Sequence, residues 1–263
     1  MPKFFVPEAA PGASFLTLTG QNAAHAKVLR LKPGERVSVC DTRGTDFRCV
    51  VSDVAPGQIS LVVQHEAPSD AEPDVFCSVY MAFAKAEKLE HVIQKATELG
   101  AAEIVAFASS RCVAKPDEKS LAKKLERWQK IAAAAAEQSG RGRIPQVRVI
   151  GSFREAVRQA AQCELALLPY ENEQTQSLRA CLNAGDYRSV SIMTGPEGGF
   201  SEEEVAFAGQ NNMKICSLGP RILRCETAPL CALTAVLYAA GALDRYTDEK
   251  DGNHGKESEI QCQ

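Results

Sequence analysis

The sequence contains no run of 18 or more apolar residues, so no segment has the length and character of a bilayer-spanning helix. Its N-terminus, MPKFFVPEAAPG, lacks the apolar core of a secretory leader, because one lysine precedes a short stretch broken by Pro7 and Pro11. A cytoplasmic protein with no membrane association is the expectation. The ten cysteines include no Cys-x-x-Cys pair and stand in no Cys/His cluster, which argues against a zinc ribbon or a redox motif. Most fall in apolar runs, such as Cys77 in VFCSVYMAF and Cys231 in LCALTAV, where a reduced thiol behaves as a small buried hydrophobe. Neither a metal nor a disulfide is expected. Two nucleotide signatures are also missing, G-x-x-x-x-G-K-[ST] and a G-x-G-x-x-G after the first strand of an α/β unit, which disfavours a phosphate loop.

What is present has the ordinary balance of a globular chain, with 263 residues, 45% hydrophobic and 24% charged. That length accommodates one large domain or two modest ones. The formal net charge is −3, but from Arg111 to Arg148 ten basic residues stand against four acidic ones. The stretch from Lys27 to Arg48 is also locally basic. Such patches on an acidic protein can bind phosphate without making the whole surface cationic, although solvated helix faces would look the same.

The chain divides by texture. Up to about residue 68, segments 15–19, 35–40, 47–54 and 58–64 alternate or carry β-branched residues, with turns at Pro33-Gly34, Arg43-Gly44 and Pro56-Gly57. Residues 23–31 read as a short helix, and the whole as a small β-barrel. APSDAEPD, residues 67–74, has no periodicity and marks a boundary, so domains are expected at 1–70 and 71–246. Beyond it, strands near 75–84, 103–108, 147, 164–168, 189–194 and 214–218 alternate with helices at 87–99, 120–139, 152–162, 176–183, 201–208 and 226–243. That alternation predicts an α/β domain, a parallel sheet covered on both faces. The polar tail 247–263 is expected to be disordered.

In open α/β sheets, ligands sit at the carboxyl ends of strands. Three such ends turn out through proline or glycine: Leu168-Pro169-Tyr170-Glu171, Thr194-Gly195-Pro196-Glu197-Gly198-Gly199-Phe200 and Leu218-Gly219-Pro220-Arg221. Each lets bare backbone approach a ligand. A helix follows the second, so its N-terminus could also receive a nucleotide phosphate. Plain turn geometry explains one such loop better than it explains three at one sheet edge.

TGPEGGFSEEEV followed by SLGPRILRCETAPLCAL resembles the small-subunit (16S) ribosomal RNA uridine-N3 methyltransferases of the SPOUT superfamily. The resemblance extends to KLEHVIQKATELGAAEIVAFASSRCV, ERWQKIAAAAAEQSGRGRIP, LLPYE and the N-terminal HAKVLRLKPGERVSVCD, covering nearly all but the tail. Cys225 stands where that family usually has threonine. The resemblance implies an N-terminal RNA-binding barrel similar to PUA domains. It also implies a C-terminal α/β domain tied in a trefoil knot, a homodimer, and S-adenosyl-L-methionine as cofactor. By the same resemblance, cofactor-binding residues are Leu168 and Pro169 in the first loop. In the second they are Gly195, Glu197 and Gly198, and in the third Leu218, Gly219, Ile222, Leu223 and Thr227.

The chemistry so implied needs a proton removed from uridine N3 and the resulting anion stabilised. Arg111 and Arg224 are candidates for the anion, since a guanidinium fork suits it better than a point charge. Glu197 and Glu226 are candidates for the base, or for orienting an arginine. His25, Lys27, Arg30 and Arg43 form a candidate RNA-facing surface. Arg141 and Arg143, in QSGRGRIP, are expected on a flexible loop that clamps phosphates of 16S rRNA in the small ribosomal subunit. Two alternatives stand beside this: a knotted methyltransferase with another RNA target, or a catalytically silent RNA-binding assembly factor.

Overall fold

The computed structural model describes residues 1–85, 87–113, 118–183 and 185–244, without the side chains of Glu118 and Lys119. The expectation for the tail 247–263 lies outside these residues. Two sheets organise the described chain. The first holds β1 (Lys3–Phe5), β2 (Phe15–Thr19), β3 (Arg36–Cys40), β4 (Thr45–Ala55) and β5 (Gln58–Pro68), with α1 (Gly20–Val28) between β2 and β3. Its order is β1-β3-β4-β5-β2, antiparallel except for the parallel β1–β3 pair. This ladder keeps two edges, β1 and β2, where a closed small barrel would have none. Register shifts between Arg48 and Cys49 and between Val51 and Asp53 mark irregularities in the long β4–β5 ribbon, and bulges of that kind bend a strand. The sheet curls over a core of Phe4, Leu18, Val37, Val39, Phe47 and Leu61. β2 shows the reason in its sequence, FLTLT, whose leucines are buried while its neighbours are exposed. The short β1 carries no alternation long enough to announce a strand, and α1 stops before the expected Leu31 because Arg30 turns left-handed at φ 55°.

The second sheet is six-stranded and wholly parallel. Its strands are β6 (Phe76–Ala82), β7 (Glu103–Phe107), β8 (Gln146–Ile150), β9 (Leu165–Pro169), β10 (Ser189–Thr194) and β11 (Lys214–Cys216). Their order is β11-β9-β10-β6-β7-β8, so β10 is inserted between two strands that precede it in the chain. Helices α2 (Lys88–Leu99), α3 (Glu118–Ser139), α5 (Leu178–Leu182) and α7 (Thr227–Ala239) pack on one face. α4 (Phe153–Ala160) and α6 (Glu202–Gln210) cover the other. Strand residues alternate between the two cores: Val79 and Met81 face α2 and α7, whereas Tyr80 and Ala82 face α4. Helix α2 buries Leu89, Val92, Ile93 and Ala96, and Gly100 ends it at φ 115°, the left-handed cap that glycine supplies without steric cost. Helix α6 opens with a reciprocal capping box between Ser201 and Glu204.

Among the described cysteines, Cys40, Cys49, Cys77, Cys181 and Cys216 are buried as free thiols. Cys231 is a correction, being exposed on α7 despite its apolar run. The run is continuous because α7 is apolar on more than the side that faces the sheet: Tyr238, seven residues on, is also exposed.

Candidate active site

Strands β11, β9 and β10 are neighbours, and β6 lies next to β10. The segments leaving their carboxyl ends therefore meet along one sheet edge, beside the point where strand order reverses. Two adjoining hollows open there. The smaller, about 260 Å³, is lined by Thr194, Gly195, Pro196, Glu197, Gly199 and Phe200 after β10. Ile222, Leu223, Arg224 and Cys225 before α7, and Lys88 at the start of α2, complete it. The larger, about 570 Å³, lies between Pro169–Glu171 with Glu173–Ser177 and the segment Ser217–Leu223. Pro169, Glu171, Ile222, Leu223 and Ala228 line both, so the hollows form one cleft.

Backbone shape makes the wall after β10. The Gly199 amide donates to the Pro196 carbonyl at 2.9 Å, closing a tight turn in which Gly199 takes φ 64°. A β-carbon on Gly195 would lie 3.0 Å from the Gly199 carbonyl carbon. Arg111, after β7, donates to the Gly198 carbonyl at 3.0 Å and so buttresses the same turn. Glu204 accepts from the Ser110 amide at 2.8 Å while completing its capping box, which anchors the far end.

A charged cluster joins the segments. Lys88 Nζ lies 3.2 Å from Glu197 Oε1 and 3.6 Å from Glu226 Oε2. The Cys225 thiol donates to Glu226 Oε2 at 3.2 Å, and the Lys85 amide donates to Glu197 Oε1 at 2.9 Å. Burial pulls the Glu197 carboxyl upward, but its own amide, that of Lys85 and the Lys88 ammonium outweigh it and hold it below the usual range. Glu226 is likewise held low, burial being overcome by its own amide, the Cys225 thiol and Lys88. The hydrogen bond with Glu197 raises the Lys88 ammonium above its ordinary value. Burial, reinforced by Glu226, pushes the Cys225 thiol up to about 11.

Of the residues expected to hold a cofactor, Gly195 and Glu197 line the smaller hollow and Leu218 and Gly219 the larger, while Pro169, Ile222 and Leu223 line both. Leu168 is fully buried in the core on the α4 face, leaving its neighbour Pro169 at the cleft. Gly198 lies behind the turn against Arg111, and Thr227 begins α7. Arg224 is exposed and lines the smaller hollow; Arg111 is directed to the Gly198 carbonyl. Lys88 is the lining residue that sequence reading missed. As the first residue of an amphipathic helix it reads as solvated helix chemistry, and only the tertiary fold brings it to the cleft.

The candidate RNA-facing residues fall into two groups. Lys27 and Arg30 are exposed around the end of α1, and Arg43 is exposed at the β3–β4 turn, bound to Asp41 and the Ala9 carbonyl. His25 lies 3.3 Å from Glu137 of α3. Arg143 is exposed, bridging to Arg43 through its backbone and donating to the Arg43 carbonyl. Arg141 departs from expectation. Its side chain is 3% exposed and paired with Glu72 at 2.7 Å. It also donates to the Thr97 and Ala101 carbonyls, so its guanidinium is committed inward and cannot clamp phosphate. Glu72 further accepts from the Gly142 and Arg143 amides, which makes this loop an ordered seam.

Among the described residues, no helix is long and apolar enough to cross a membrane, and no group of three or more His, Cys, Asp or Glu could hold a metal ion.

Residues 71–237 match the model of the RNA methyltransferase domain, and residues 18–64 that of the RNA methyltransferase PUA domain. The chain is similar to Ribosomal RNA small subunit methyltransferase E of Bacillus subtilis (strain 168), with 35% identity over 86% of this chain and 91% of that one. It also resembles the crystal structure of a Ribosomal RNA small subunit methyltransferase E from Neisseria gonorrhoeae bound to S-adenosyl methionine. That match has TM-score 0.77 and 30% identity, covering 90% of this chain and 97% of the other. A putative methyltransferase from Legionella pneumophila, in complex with the bound cofactor SAM, matches with TM-score 0.77 and 29% identity over 90% and 97%.

Proposed function

The chain belongs to the RNA methyltransferase family with an RNA methyltransferase PUA domain, and from that premise we propose that it transfers a methyl group from S-adenosyl-L-methionine to N3 of a uridine in 16S rRNA. The observation that carries this reading is the cleft where the exits of β9, β10 and β11 converge, walled by backbone and bordered by carboxylates. These features fit the cofactor. The nucleoside of a sulfonium cofactor needs apolar and backbone contacts, which Pro169, Leu218, Ile222 and Leu223 offer, and the cationic sulfonium favours carboxylates such as Glu171 and Glu197 nearby. When bound, S-adenosyl-L-methionine supplies an electrophilic methyl group.

The chain's own part is to hold and polarise the nucleotide. Arg224 faces the smaller hollow and is the guanidinium that would steady negative charge on the uridine carbonyl oxygens. Arg111 acts by bracing the Gly198 turn. Glu197 and Glu226, held below the usual carboxylate range, are weak bases; their proposed role is to orient donors and favour a cationic ligand. The target uridine has to leave any stack to enter the cleft.

Several finer features belong to the same reading. A domain division near residue 70 fits the change from the first sheet to the second. A trefoil knot is supported by the late insertion of β10 between β6 and β9. A homodimer is supported by the exposed apolar side chains Cys231 and Tyr238, seven residues apart on α7, and by exposed Ile222 in the third loop. Lys27, Arg30, Arg43 and Arg143 are proposed to meet the RNA backbone of the small subunit, and the cytoplasm is the proposed compartment.

The test is nucleoside mass spectrometry of 16S rRNA from a strain lacking the protein. Loss of N3-methyluridine, restored by adding purified protein and S-adenosyl-L-methionine to the isolated small subunits, is the expected result. An unchanged N3-methyluridine content would remove this assignment.

A further inference from the structure

Lys88 reaches the cleft from outside the three loops. Strand β6 exits beside β10, and the short connection after it delivers the first residue of α2 to the gap between the turn after β10 and the segment leading into α7. There a single ammonium meets a carboxylate on each side, Glu197 at 3.2 Å and Glu226 at 3.6 Å. The Cys225 sulfur lies at 3.8 Å. The ammonium thus stands within ion-pair distance of both carboxylates at once. Its side chain is 27% exposed, as is that of Glu197, and Glu226 is at 23%, which shields the cluster more than an ordinary surface pair.

We propose that Lys88 is a positioning residue for cofactor binding, which ties the turn after β10 to the segment before α7 through Glu197 and Glu226 and thereby sets the width of the cleft. The link to the cofactor rests on the reading of the cleft as the S-adenosyl-L-methionine site; the tie between the loops does not. Without the ammonium, two carboxylates that share one counter-charge, at 3.2 and 3.6 Å from it, would be left close together beside the cleft. Like charges at such separation repel, and the segments bearing them are held elsewhere mainly by turn hydrogen bonds. The lowered carboxyls and raised ammonium agree with an ion cluster that stays charged at neutral pH. Because Lys88 acts on the loops, its loss should alter cofactor affinity before it alters anything at the RNA.

The experiment compares wild type, Lys88→Met, Lys88→Arg and the double variant Lys88→Met with Glu226→Gln, all as the full chain. Hydrogen exchange of the free protein is read first. In Lys88→Met, amides in segments 195–200 and 217–226 should exchange faster, while those of β6, β7 and the buried part of α2 keep wild-type protection and so report an intact fold. Calorimetry with S-adenosyl-L-methionine and with S-adenosylhomocysteine is read second. Lys88→Met should bind both more weakly by roughly tenfold or more, about 1.4 kcal/mol per tenfold change in affinity. Lys88→Arg should retain most of the affinity, and Glu226→Gln in the Met background should recover part of it by removing the repulsion. Wild-type exchange in both loops of Lys88→Met would overturn the tie. Faster loop exchange with unchanged cofactor affinity would overturn its role in cofactor binding. Failure of the wild-type protein to bind either ligand would instead strike the cofactor reading, with the exchange data still deciding on the tie.

Discussion

Gly195 and Gly198 stand three residues apart in one turn, yet they meet different surroundings. A β-carbon at Gly198 would sit 3.3 Å from the β-carbon of Arg111, on a neighbouring turn rather than inside its own. At Gly195 the obstacle is the backbone of Gly199, at 3.0 to 3.3 Å, inside a turn closed by its own hydrogen bond. Backbone in a closed turn has nowhere to move without opening the turn. Gly195→Ala is therefore expected to weaken S-adenosyl-L-methionine binding by about tenfold or more while the protein keeps its unfolding midpoint, since few buried contacts are touched. Calorimetry alongside urea unfolding checks both halves. Full affinity in Gly195→Ala would show that this turn is not part of the binding wall.

At the level of elements, the segment after α3 acts as a seam between the two sheets. Glu72 takes hydrogen bonds from the Arg141 guanidinium and from the amides of Gly142 and Arg143. Around it, Lys3 of β1 joins Asp46 of β4 to the Gly140 carbonyl, and the Cys40 thiol donates to the Gly142 carbonyl. Removing one partner of a buried ion pair leaves the other charged and desolvated, which costs more than the pair contributes when intact. Glu72→Ala is expected to destabilise the protein by about 3 kcal/mol or more, read from denaturant unfolding. A change within the range of ordinary surface substitutions, about 0.5 kcal/mol, would show that Arg141 finds other partners. Arg141→Ala should act in the same way, through stability. The exposed Arg143 is the member of QSGRGRIP whose loss should lower the salt dependence of RNA binding.

For the molecule as a whole, the exposed side of α7 is the least expected surface. Ile222 and Tyr238 are 86% and 74% exposed, and Cys231 lies on the same helix as Tyr238. Large exposed apolar groups often have a partner, and the proposed homodimer would cover Tyr238 and Cys231 of α7. Tyr238→Glu places a charge in that surface. It should shift the protein to monomer in sedimentation equilibrium. A monomeric wild type, or a dimer that withstands the substitution, would place the contact elsewhere.

Much of this fold is legible in the sequence. Alternation of strand and helix patterns required a parallel sheet, because each apolar strand needs cover on both faces. The proline and glycine exits after Leu168, Thr194 and Leu218 marked the sheet edge where a ligand could sit, because turn chemistry is local. Adjacency across the sheet is not local. Glu197 leaves β10 and Lys88 follows β6, and the two meet because those strands are neighbours in the sheet. The burial of Arg141 depends equally on Glu72 arriving from another segment, so a basic, glycine-rich stretch that reads as a mobile clamp becomes a fixed joint. The glycine loops of the cleft were thus set by local sequence. Which charges face one another across it was decided by strand order, since electrostatic partners are chosen by distance in space rather than by spacing along the chain.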